Sequence, residues 1–156
     1  MCNAHQWIPF SVCTPVCEAI SRSLKRALEP YEGHATYYEW MKSTFQLKRD
    51  ALVRVLKDAG FPPLVPDGGF FVMAQLNDLN IDDEEFSDDW GDCRWLTMAK
   101  KVSPIPASAF YSVRRETGDG AAVRHGRGVG RFAFCKKDED IAECGKRLLA
   151  MRSEAR

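Results

Sequence analysis

The 156 residues, 45% apolar and 28% charged, suffice for one domain of ordinary size with a core of its own. Lys plus Arg and Asp plus Glu both number 22, so the net charge makes no case for nucleic acid or an anionic membrane as partner. No apolar run nears the roughly 20 residues of a membrane helix.

Residues Met1-Cys2-Asn3-Ala4-His5-Gln6-Trp7 have neither the basic stretch nor the apolar run of a secretory signal. The expected location is the cytoplasm, with the mitochondrion as the alternative if a further segment precedes. Six cysteines (Cys2, Cys13, Cys17, Cys93, Cys135 and Cys144) then read as reduced thiols rather than three disulfides. Cys13 and Cys17 are four apart, and no Cys-x-x-Cys or His-x-x-x-His completes a zinc set, so no metal is expected.

Taken in chain order, residues 3–13 read as an extended arm carrying Trp7, Ile8 and Phe10 without a regular period. Thr14-Pro15 opens a helix, hydroxyl at N-cap and proline at N1, that runs to about Leu28 and stops at Pro30. A longer helix covers about Tyr37 to Ala59, with Met41, Phe45, Leu52, Val53 and Leu56 on one face and Gly60 as its C-cap. Lys48 and Arg49 read as solvated charges on it. Pro62, Pro63 and Pro66 break the chain, and Asp67-Gly68-Gly69 turns it. Phe70 to Leu76 is a strand, so apolar that burial on both faces is expected. Asn77 to Asp92 is crowded with Asp and Glu, lacks the Asp-x-Asp-x-Asp-Gly spacing of a calcium loop, and reads as a solvated surface insertion.

A short helix over Trp90 to Lys101 follows, then a short extended segment, Val102 to Pro106. Arg114 to Gly130 is a basic, glycine-rich loop. Its Gly126-Arg127-Gly128-Val129-Gly130-Arg131 run precedes a strand, not a helix, so it is no dinucleotide fingerprint. It also lacks the interleaved aromatics of a nucleic-acid patch. In Gly130-Arg131-Phe132-Ala133-Phe134-Cys135, the phenylalanines alternate as on a half-buried strand. Arg131 then points the other way. It is either a solvated edge residue or a fork held out for a carboxylate or phosphate. Asp138-Glu139-Asp140 starts a final helix with Ile141, Cys144, Leu148 and Met151 at helical spacing, Cys144 serving as core filler. The order implies an α+β layer: a small, mostly antiparallel sheet covered by helices.

Several stretches together resemble the class I/II aminotransferases, the fold type I pyridoxal-phosphate enzymes. They are residues His5 to Pro15, Lys48-Arg49-Asp50, Pro66-Asp67-Gly68-Gly69-Phe70-Phe71, Trp95-Leu96-Thr97, Ile105 to Tyr111 and Arg131-Phe132-Ala133-Phe134-Cys135-Lys136-Lys137. They follow in the family's order, and the chain is most similar to the kynurenine, glutamine and methionine aminotransferase branch, which includes the cysteine-conjugate β-lyases. The resemblance implies that residues 1–30 end the large cofactor domain. Residues 31–156 would form the C-terminal small domain, entered by the long connecting helix. It implies pyridoxal 5'-phosphate as cofactor, an amino acid and a 2-oxo acid as substrates, and a homodimer for the full-length form. By the same mapping Arg131 holds the substrate α-carboxylate, and Phe10 packs on the substrate side chain from an arm that reaches the partner subunit.

The family's Schiff-base lysine, its phosphate-binding arginine, the aspartate on the pyridine nitrogen and the stacking aromatic map ahead of Met1. No catalytic or cofactor-binding residue is therefore expected in this chain, and the chain alone is expected to be inactive. The alternative is a truncated, inactive relative that serves as a binding module.

Overall fold

The computed structural model describes residues 2–8, 11–76, 79, 88–111, 114–115, 122–123 and 128–154. They fall into two compact units, residues 1–44 and 45–156. Phe10 lies outside the described residues, as do most of the acidic 77–87 stretch and most of the basic 116–127 stretch.

The first unit begins with helix α1, Cys2–Trp7. An extended arm is the expectation there, and the helix replaces it. Ala4 and Gln6 favour helix, and no β-branched residue intervenes before Ile8. Helix α2, Thr14–Arg26, follows, with Cys13 as N-cap and no side-chain cap bond, so Thr14 sits one position inside the helix rather than capping it. Val16, Ile20 and Leu24 repeat at i, i+4 along α2 and are all exposed. Tyr31 packs edge-on against Tyr37 and Trp40, with ring centres 5.3 and 5.1 Å away. Helix α3, Tyr37–Asp58, begins in this unit and ends in the second.

The second unit holds the sheet. Its strands are β1, Pro63–Leu64, β2, Phe71–Gln75, β3, Ile105–Pro106, and β6, Val129–Ala133. Their order is β1-β2-β6-β3, every pair antiparallel. A separate two-stranded ladder pairs β4, Arg114–Arg115, with β5, Ala122–Val123. Helix α4, Asp89–Ala99, precedes β3, and helix α5, Asp138–Glu154, closes the chain. Gly60 terminates α3 at φ +86°, a conformation that L side chains rarely adopt, while the Phe61 N–H reaches back to the Leu56 carbonyl.

One face of the sheet is the core. Val72, Ala74 and Phe132, with Phe134 beyond the end of β6, pack with Leu52, Val53 and Leu56 of α3, Cys93 and Leu96 of α4, and Ile141 and Leu148 of α5. Gly145 lets α5 approach α3 closely, since a Cβ there would lie 3.0 Å from Val55 Cγ2. The α+β layer with helices on one face agrees with the sequence.

Three details differ from it. Strand β2 is not buried on both faces: Val72 and Ala74 are buried, whereas Phe71 and Met73 are half-buried and Gln75 is exposed. Lys48 is no solvated charge, because its Nζ donates to the Lys136 carbonyl and to Asp138 Oδ1, each at 2.6 Å, tying α3 to the start of α5. Arg49 likewise ties α3 to the Pro66 carbonyl and pairs with Asp50.

Candidate functional site

Strand pleating sorts β6 into two faces. Gly130 and Phe132 point into the core, and Val129, Arg131 and Ala133 point away from it. Direct pairing puts Met73 of β2 and Ile105 of β3 on either side of Arg131, so the three share the face that these helices leave open. The arginine is half-buried there.

Two aromatic rings flank its guanidinium. The guanidinium carbon lies over the Phe110 ring at 4.2 Å from the centroid and over the Phe71 ring at 4.7 Å. Cation–π contacts engage the face of a guanidinium and leave its N–H edges for a planar acceptor. Among the described residues its partners are these rings, not a carboxylate. A cleft of about 510 Å³ adjoins Arg131, with Phe71 and Ile105 on one side and Asp140, Ile141 and Glu143 of α5 on the other. Such an arrangement can bind a carboxylate by two parallel hydrogen bonds and fix its orientation.

Phe110 is carried by the 3-10 turn Ala107–Phe110, and that turn is anchored from α4. Asp89 is completely buried, with Oδ2 accepting from the Ser108 N–H and Oδ1 from the Ser108 hydroxyl, both at 2.9 Å. Its neighbour Asp88 caps α4 by accepting from the Gly91 N–H at 2.9 Å. The expectation of a solvated insertion through Asp92 therefore fails at its C-terminal end. Asp88 satisfies a helix N-terminus, and Asp89 is buried because two donors await it.

Crowding at this helix start moves other groups. The Asp92 carboxyl is pushed up to about 6 by burial, then by Asp89 and Asp88. The Cys93 thiol is pushed up to about 12, again by burial first and then by Asp89, Asp92 and Asp88. Burial also raises Cys144, against the lowering effect of Arg147. Both thiols stay protonated near neutrality and serve as core, not as nucleophiles.

The Asp92 shift carries a pH prediction. A folded-state value above the ordinary 3.8 means that the folded chain binds more protons than the unfolded one between those values. That stabilisation is complete below pH about 4 and is lost as pH rises through about 6. Asp92→Asn is therefore expected to raise the urea midpoint near neutral pH, by a stabilisation of about 1 kcal/mol at most once solvent screening of the partly exposed group is allowed for, and to converge with the parent near pH 4. Equal midpoints for the two proteins at both pH values would contradict it.

Among the described residues no group of His, Cys, Asp and Glu is arranged to hold a metal ion. No described helix is long and apolar enough to cross a membrane. Of Arg131 and Phe10, the described residues include only Arg131, on β6 beside Phe71 and Phe110. Phe71, Phe110 and Asp89 join it without having been singled out.

Residues 6–148 match the family model described as aminotransferase class I and II. The chain is 30% identical to a kynurenine–oxoglutarate transaminase of Dictyostelium discoideum over 96% of its own length and 34% of that protein's. Among solved structures, Bna3p of Saccharomyces cerevisiae superposes with a TM-score of 0.75 at 24% identity, covering 97% of this chain and 35% of that one. A methionine aminotransferase of Escherichia coli superposes with a TM-score of 0.69 at 25% identity, covering 95% and 33%. The chain thus spans about a third of the length of these relatives.

Proposed function

Since the chain belongs to the class I and II aminotransferases, we propose that it is the C-terminal part of a pyridoxal-phosphate-dependent transaminase of the kynurenine–oxoglutarate kind. Such an enzyme moves an amino group between an L-amino acid and a 2-oxo acid. Arg131 holds the substrate α-carboxylate, residues 1–30 end the large domain, and residues 31–156 form the small domain. Phe10 packs on the substrate side chain, and the full-length form is a homodimer. The observation that carries the reading is Arg131 on the open sheet face, its guanidinium over the Phe71 and Phe110 rings with no carboxylate partner among the described residues.

Pyridoxal phosphate supplies the family's electron sink. The described residues of the second unit make no seat for it. A phosphate favours the N-terminus of a helix, and here α4 starts with Asp89 and Asp92 and α5 with Asp138, Glu139 and Asp140, all of which repel an anion. Lys101 and Lys136 line the cleft without such a cradle beside them.

The purified chain alone is accordingly expected to show no turnover of kynurenine, glutamine or methionine with a 2-oxo acid and added cofactor. Turnover that tracks with the protein through purification would overturn this. The proposal itself is tested upstream of Met1. In-frame genomic sequence encoding the Schiff-base lysine segment supports an enzyme part; its absence would favour a truncated binding module.

A further inference from the structure

We propose that Asp89 is a positioning residue for the Arg131 guanidinium, acting through Ser108 and the Phe110 ring. Three observations join into one chain of contacts. Asp89 is completely inaccessible, and each of its carboxylate oxygens accepts one hydrogen bond from Ser108. Ser108 is the second residue of the four-residue 3-10 turn that ends at Phe110. The Phe110 ring, itself 59% exposed, is the closer of the two rings under the guanidinium.

Ala107, at the start of the turn, is buried, but Phe110 and Tyr111 are exposed, so core packing does not fix the ring. A 3-10 turn this short has few bonds of its own; here the Tyr111 N–H reaches the Ser108 carbonyl at 3.2 Å. The bidentate clamp on Ser108 supplies the missing constraint. A charged acceptor strengthens both bonds, and the carboxylate is fixed on the first turn of an eleven-residue helix. An asparagine could accept only the bond from the Ser108 N–H and would meet the hydroxyl as a neutral donor, a weaker pair of bonds than the carboxylate makes.

The consequence for substrate rests on the carboxylate-anchor reading of Arg131, but the positioning itself does not. The test is therefore read first without substrate, in the chain as it stands. The Arg131 Nε–Hε cross peak in a ¹H–¹⁵N spectrum, assigned by its loss in Arg131→Lys, should lie upfield because of the two rings. Phe110→Leu sets the displacement expected when that ring is gone. Ser108→Ala and Asp89→Asn are each expected to move the peak in the same direction, towards a free arginine, and Ser108→Thr, which keeps the hydroxyl, should restore it. Val53→Ala, which trims the core on α3, should lower the melting temperature without moving the peak.

An unmoved peak in Ser108→Ala, or an equal movement in Val53→Ala, would overturn the proposal. If Asp89→Asn does not fold, Ser108→Ala and Ser108→Thr still decide it. In a full-length protein, Ser108→Ala should then raise KM for the amino acid several-fold and leave cofactor affinity unchanged. A moved peak with an unmoved KM would sink the carboxylate reading and leave the positioning role standing.

Discussion

Arg131→Lys, introduced into a full-length protein made by joining a matching large domain upstream of Asn3, is expected to lower kcat/KM by about 30- to 1000-fold. Lysine keeps the charge and loses the fork. A bidentate, charge-assisted contact that tightens in the transition state contributes about 2–4 kcal/mol, and each 1.36 kcal/mol is tenfold in rate. The two rings make the change harsher, because they hold a flat cation and an ammonium group is not flat. Cofactor affinity should hardly change, since no described residue near Arg131 serves a phosphate. Arg124→Lys and Arg127→Lys are the controls, each expected to cost under about 0.5 kcal/mol if those residues are solvated charges. Equal losses at all three would point to general electrostatic attraction.

A second large effect concerns the core that carries the strand. Phe134 is 2% exposed, packs edge-on to Phe45 at 6.1 Å between ring centres, and donates its N–H to the Phe70 carbonyl at 2.9 Å. Phe134→Ala should destabilise the chain by about 3–5 kcal/mol, from lost transfer energy and the cavity left behind. Against a total of about 5–15 kcal/mol, such a loss is visible in a urea titration as a large fall in midpoint at unchanged slope. A loss under about 1 kcal/mol would mean that the sheet and helices do not meet there as described.

The elements that the sequence disclosed are those whose signal is local and repeated. The long helix ending at Gly60, the alternation around Phe132 and Phe134, and the Ile141, Cys144, Leu148, Met151 stripe all declare their buried face by period alone. What it hid depends on partners far along the chain. Asp89 looks like one more charge in an acidic run until Ser108, nineteen residues on, brings it two donors. Lys48 looks solvated until α5 starts beside it, ninety residues later. The rings on Arg131 come from β2 and from the turn after β3, and no spacing rule links them to β6. The helix Cys2–Trp7 is hidden for the opposite reason: six residues are too few to show a period.

The account stands or falls on whether Arg131 meets the α-carboxylate. The direct measurement is a double deletion in the full-length protein: dissociation constants of an amino acid and of its decarboxylated amine, for the parent and for Arg131→Ala. The account predicts that the parent prefers the amino acid, that Arg131→Ala treats the two ligands alike, and that the coupling amounts to about 2–4 kcal/mol. An Arg131→Ala protein that keeps the parent's full preference for the amino acid over the amine would contradict it.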